Sequence, residues 1–351
     1  MQADNNTLRS TPSSSNACAT RWPLFLVHGV AVRRAEKVRY WGRIPDLLRA
    51  YGASVHISNQ DAWGSFESNA KQLQAELAQV LHTTQADKVN VIAHSKGGVD
   101  TRVLATYPEM HERIASITTI SSPHKGLKSL NWLTATPELL KRSLTTVIDI
   151  LLILTGETNP SFAQVSESLS ERGMLQFAER YAMPEGIVVQ SFSAIRNDHL
   201  NDPLFILTGL LLQAIDADND GVVPVESSNF GEYLGLINSE GPSLSHRQVT
   251  DTSFLDILPE KLTRALGREP EVGLLAKQLA ERLALQRTAG QRAAGQRAAG
   301  REAADKQTAV EQEAAGTSSS TDTALPTKSR KSFDTLGWWV QMVADLKERG
   351  L

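Results

Sequence analysis

A single cysteine, Cys18, among 351 residues excludes an internal disulfide, and its polar surroundings, TPSSSNACAT, predict a disordered N-terminus over 1–21 with no packed role for the thiol. Long apolar runs are lacking too. The two best candidates, VIDILLIL at 147–154 and LFILTGLLLQAI at 204–215, fall short of the roughly 18–20 residues a spanning helix needs, and the first carries Asp149. No transmembrane anchor is expected; buried helices or an apolar flap are. The opening residues lack the apolar stretch of roughly 7–15 residues that a secretory signal requires, which leaves a cytoplasmic location or export by a non-Sec route. Nor does either charge dominate: 36 Lys and Arg against 39 Asp and Glu give a net charge of -3, which favours neither nucleic acid nor an anionic membrane surface as a partner. What remains is ordinary globular material, 41% hydrophobic and 6% aromatic, with enough apolar residues for a core.

From Trp22 to about Thr119, short apolar runs alternate with amphipathic helical patterns, the signature of a mostly parallel sheet flanked by helices. LFLV (24–27), SVHIS (54–58) and the continuous apolar VNVIA (89–93) read as strands, followed by 114–120 and IVVQSFS (187–193). Trp41, Ile44, Leu48 and Tyr51 share one helical face that stops at Gly52. Ala70, Leu73, Leu77, Val80 and Leu81 share another, its start capped by Ser65 or Ser68. This core runs over 22–251, with a mostly helical excursion at about 127–185 where a lid belongs. Past it, 252–331 reads as helical and then low-complexity, with QRTAG, QRAAG and QRAAG at 286–300 too short for a solenoid. The end, 332–351, is an amphipathic helix with Leu336, Trp339, Val340 and Val343 on one face, suited to cover the core or, on its tether, a partner.

VIAHSKGG at 91–98 carries the sharpest signal. A buried strand runs into His94-Ser95-Lys96-Gly97-Gly98 and directly into a helix, a turn that lifts a serine above the sheet and aims a helix N-terminus at a developing anion. Ala93 and Gly97 supply the small residues the crowded turn needs. A serine hydroxyl needs a histidine base and an acid that orients it. In this architecture the chain order is nucleophile, acid, histidine. Only His246 follows the carboxylate-rich IDADNDGVVPVESS at 215–228, so elimination names it as the base. Asp220, before the turn-permitting Gly221, is the acid, with Asp216 and Asp218 as fallbacks. As a calcium loop the stretch fails, because counting from Asp216 puts Ser227 at position 12, where a bidentate Glu belongs. An oxyanion hole requires two backbone N–H donors: Lys96, after the serine, and Val30, in the loop after the first strand. His28 and Gly29 shape that loop, and His94 and Gly97 shape the elbow.

FLVHGV, YWGRIPDLLRAYGASVHIS, VNVIAHSKGG, SSPHKG (121–126), NDGVVPVESS and SHRQV together resemble the α/β-hydrolase superfamily, and within it the bacterial triacylglycerol lipases of the Pseudomonas and Burkholderia type. The resemblance implies a serine hydrolase acting on carboxylic esters, with a lipid or ester substrate, a helical lid opening at a lipid-water interface and no required catalytic cofactor. It also implies a structural calcium beside the histidine loop, held by an Asp two residues after the histidine, a Gln six after and an upstream Asp. Those positions here are Gln248 and Thr252, which leaves Asp202 and Asp251 as the nearest candidate ligands. Phospholipid deacylation or acyl transfer on the same fold is the alternative chemistry. A non-catalytic interaction protein is the reading from another class.

Overall fold

The four buried side chains of the first strand alternate between two cores, and that alternation organises the molecule. The computed structural model describes residues 16–30, 40–131, 137, 162–196, 202, 218–239, 242–252 and 333–351. The chain divides into two units, Met1–Glu260 with Ser332–Leu351 and Lys261–Lys331, and all described residues belong to the first. In β1 (Leu24–Val27), Phe25 and Val27 join one core cluster while Leu24 and Leu26 join another, because successive side chains of a strand point to opposite faces. A sheet buried on both faces calls for continuous apolar strands, and β3 (Val89–His94) and β4 (Ile114–Ile120) are buried along their whole length.

Among the described residues six strands form one parallel sheet in the order β2-β1-β3-β4-β5-β6, where β2 is Val55–Ile57, β5 Val188–Ser193 and β6 Glu232–Leu236. This is the expected α/β arrangement, with one strand more than the apolar runs predict. β6 lies within FGEYLG, where the sequence gives no strand: it is an edge strand with charged Glu232 at its start and Gly235 at a φ of 102°. An edge strand has one open side, so an apolar pattern is not demanded of it.

One face of the sheet carries α2 (Phe66–Thr84), α3 (Lys96–Ala105), α5 (Phe162–Ser168) and α6 (Glu171–Arg180), through Phe66, Leu73, Leu77, Val99, Val103, Val165 and Phe177. A short α4 (Pro108–His111) bridges α3 to β4, and a single-turn α7 (Val225–Ser228) lies between β5 and β6 in the chain. Ser65 caps α2 by accepting the Ser68 N–H, and Gln85, in the left-handed region, ends it. α5 and α6 fall inside the range expected to form a lid. Val165, Leu169, Met174 and Phe177 of this stretch are buried in the core cluster. The apolar run at 147–154 lies outside the described residues, as do 204–215, Asp216 and the expected helix and repeats of 253–332.

The opposite face is covered by α1 (Ile44–Ala50) and by the C-terminal α8 (Thr335–Glu348), which brings Trp339, Val340, Val343 and Leu346 against Leu24, Leu26, Trp41 and Leu48. Asp334 caps α8 by accepting the Gly337 N–H. The end of the helix is fastened as well, since Arg349 pairs with Glu232 of β6 and the Arg21 N–H donates to the Leu351 carbonyl. Cys18 corrects the sequence reading: it is fully buried in this cluster, its Sγ–H directed at the Val340 carbonyl at 3.6 Å, and burial pushes its thiol up to about 11. A small apolar thiol packs as a small hydrophobe once a neighbour covers it, and the neighbour here lies 322 positions away along the chain. Among the described residues no helix is long and apolar enough to cross a membrane.

Candidate active site

The sheet order itself locates a crevice. The chain leaves β1 for β2 on one side and returns to β3 on the other, so the connections after β1 and β3 diverge and open a cleft at the strands' carboxyl ends. His28 and Gly29 follow β1, and Ser95 follows β3. The turn at Ser95 is strained, with φ 57° and ψ -134°, a region that costs a non-glycine residue about 1–3 kcal/mol and persists only where the surroundings impose it. They do so here: the Ser95 N–H is tied to the Ile120 carbonyl of β4, and the Gly98 N–H to the Ser95 carbonyl. Two glycines are required by contact. A Cβ on Gly97 would meet the His28 carbonyl oxygen at 2.5 Å, and one on Gly29 would meet the Ser95 Cβ at 2.6 Å. The loop after β1 is therefore pressed flat against the serine.

The structure brings Ser95, His246 and Asp220 together. Ser95 Oγ is 2.9 Å from His246 Nε2, and His246 Nδ1 is 2.7 Å from Asp220 Oδ2. A carboxylate accepts only, so Nδ1 carries the proton, and the remaining nitrogen is free to accept the serine hydroxyl. Asp220 is fully buried; its Oδ1 accepts the N–H groups of Val222 and Val223, and its carbonyl accepts the His246 N–H. Gly221, at φ 101°, makes the tight turn that returns those N–H groups to the carboxylate. Asp218, by contrast, is exposed and uses its carbonyl to accept from Val225.

Lys96 opens α3, so its N–H has no intrahelical acceptor. Its side chain points inward, where Nζ pairs with both oxygens of Asp100 at 2.9 and 3.0 Å and the Asn69 amide donates to the same carboxylate. Burial outweighs those partners and pushes the Asp100 carboxyl up to about 6. Val30 directly follows Gly29 on the loop after β1. His28 braces that loop through its Nδ1, 2.8 Å from the Gly29 carbonyl, while Gln60 donates to the His28 carbonyl.

Tyr40 links the two halves of the site, and no sequence signal marked it. Its hydroxyl accepts the Gly29 N–H at 2.9 Å and lies 2.6 Å from His94 Nδ1. Burial raises its pKa, so the phenol keeps its proton and donates it to His94. The His94 ring lies 4.4 Å from the His246 ring, and burial first, then repulsion from His246, lowers its pKa well below the ordinary value. A neutral His94 leaves an imidazolium at His246 unopposed. Asp202 pairs with Arg247, next to His246, and Asp251, five residues past His246, pairs with Arg43 at the start of α1.

Residues 23–164 match a family model described as palmitoyl protein thioesterase. A triacylglycerol lipase of Burkholderia plantarii is 40% identical over 129 residues, 34% of this chain and 35% of that protein. One of Vibrio cholerae is 29% identical over 244 residues, 61% of this chain and 76% of the relative. The chain thus spans about a third of the length of the Burkholderia relative. The crystal structure of a metagenomic carboxyl esterase superimposes with a TM-score of 0.57 at 19% identity, covering 78% of this chain and 79% of that one. The chain has the α/β-hydrolase fold and resembles the bacterial triacylglycerol lipases.

Proposed function

We propose that the chain is a serine hydrolase of carboxylic esters, a triacylglycerol lipase or long-chain carboxylesterase. One observation carries the reading: an unbroken hydrogen-bonded line from Ser95 Oγ through both nitrogens of His246 to the buried carboxylate of Asp220. In the first half-reaction Ser95 Oγ attacks the ester carbonyl while its proton passes to His246 Nε2. The N–H groups of Lys96 and Val30 hold the oxyanion. The tetrahedral adduct collapses, the C–O bond to the alcohol breaks, and His246 gives its proton to the departing oxygen. Water then repeats the sequence on the acyl-serine, releasing the carboxylic acid and restoring Ser95. Asp220 orients the imidazole and stabilises the imidazolium. The lipases named above support an acyl-ester substrate. Hydrolysis of an acyl ester series from short to long chains, in solution and as emulsion, tests the reading. Rates that rise with chain length and jump at the emulsion surface mark a lipase, rates confined to dissolved short chains mark an esterase, and no turnover on any ester refutes the proposal.

A second reading, thioester hydrolysis, is favoured by the family model that matches residues 23–164. The same serine, histidine and acid would attack a thioester carbonyl, so palmitoyl thioesters belong beside oxygen esters in that assay.

A further inference from the structure

The lipases that the sequence resembles hold a calcium beside the histidine loop, and the donors that would serve it here are already taken by the protein. Asp202 Oδ2 receives the Ser245 hydroxyl at 2.5 Å and two guanidinium nitrogens of Arg247 at 3.0 and 3.2 Å. Asp251 is gripped by Arg43 through Nη2 at 2.7 Å, Nε at 2.8 Å and the backbone N–H at 2.9 Å. Gln248 uses its Oε1 to accept the Ser245 N–H, and the Thr252 hydroxyl is engaged with Thr250 and the Tyr40 carbonyl. Among the described residues no group of three or more His, Cys, Asp or Glu is placed to hold a metal ion. A divalent cation brought to Asp202 would sit against a guanidinium, and the residues do not fit it.

We infer that Arg247 does in this chain what a bound cation does elsewhere: it is a positioning residue that fixes His246 by fastening the histidine loop to Asp202. The two neighbours of His246 in sequence, Ser245 and Arg247, both bond to one fully buried carboxylate. Arg247 Nη1 also donates to the Thr252 carbonyl and so closes the loop on itself. A buried carboxylate demands a partner, and the planar fork of arginine reaches two acceptors at once where an ammonium reaches one direction at a time. Between these anchors the His246 imidazole has its backbone fixed on both sides, and the 2.7 and 2.9 Å contacts to Asp220 and Ser95 follow from that placement.

The inference rests on the hydrolase reading, so the test begins by confirming that the full-length chain turns over a soluble acyl ester and is labelled by a fluorophosphonate; without both, the reading above fails and only the calcium arm applies. In that arm, wild-type melting temperature is measured with millimolar calcium and with EGTA. An unchanged melting temperature supports the inference, and a calcium-dependent rise overturns it. In the activity arm, Arg247→Lys keeps the positive charge beside Asp202 and so keeps the fold, while Arg247→Gln removes it. The expected result is a kcat lower by about 5–10-fold for lysine and more for glutamine, with KM within twofold. A kcat and KM equal to wild type in folded Arg247→Lys and Arg247→Gln, whatever their melting temperatures, means the arginine is merely structural and overturns the positioning role.

Discussion

Replacing Lys96 by methionine tests how the nucleophile turn is held. The side chain keeps nearly the same volume, so the change removes the ammonium and little else. Asp100 is left fully buried with the Asn69 amide but without its counter-ion. Breaking one side of a buried pair costs about 3–5 kcal/mol, or roughly 6–20 °C in melting temperature at about 2–4 °C per kcal/mol. The loss depends on pH, and its sign follows from the direction of the shift. Burial already raises the Asp100 carboxyl from 3.8 to about 6, so its ionised form is disfavoured in the folded chain. A raised carboxyl contributes stability that is present below about pH 4 and lost as pH rises through 6. Without Lys96 the carboxyl rises further, so the variant's deficit is small at pH 5 and grows toward pH 8. Thermal unfolding of wild type, Lys96→Met and Lys96→Met/Asp100→Leu at the two pH values reads this directly. The double variant, free of any buried charge, regains most of the loss. A Lys96→Met deficit that is the same at pH 5 and pH 8, or a double variant no better than the single, refutes the account of the pair.

Three further outcomes follow from the same contacts. Tyr40→Phe strands the Gly29 N–H and His94 Nδ1, at about 1–3 kcal/mol for each unsatisfied buried group, and frees the loop that carries Val30; calorimetry with steady-state kinetics is expected to show both a lower melting temperature and a lower kcat. Asp220→Asn keeps the shape of the turn but allows the imidazole the wrong tautomer, so kcat for ester hydrolysis falls by about 10⁴-fold, the loss the same change produces in serine proteases, with little change in KM. Trp339→Phe removes the indole N–H that donates to the Val249 carbonyl at 2.9 Å, three residues past His246; denaturant unfolding is expected to show a loss of about 1–3 kcal/mol.

The elbow and its serine were legible because their determinants are local: a continuous apolar strand, two small residues and an immediate helix occupy a dozen positions. His246 and Asp220 could be named because chain order and position left few choices, although they stand 26 positions apart with β6 between them in the chain. What the letters did not reveal depends on partners far apart in the chain. Cys18 looked like part of a polar tail until Val340 covered it. Tyr40 reached His94 across 54 positions, and Arg247 found Asp202 across 45. Polar residues in such roles leave no periodic trace, since neither face nor spacing distinguishes them from solvated ones. β6 escaped for a related reason: at the edge of a sheet a strand is held by backbone pairing to β5 and has no need of an apolar pattern.

The central claim is that Ser95 is the nucleophile of an ester hydrolase. Incubating wild type and Ser95→Ala with a fluorophosphonate, followed by peptide mass spectrometry and an acyl ester assay on the same samples, addresses it most directly. The account predicts a phosphonyl adduct on Ser95 with parallel loss of hydrolysis in wild type, and neither labelling nor turnover in Ser95→Ala. An Ser95→Ala chain that is still labelled, or that still hydrolyses the ester at the wild-type rate, contradicts it.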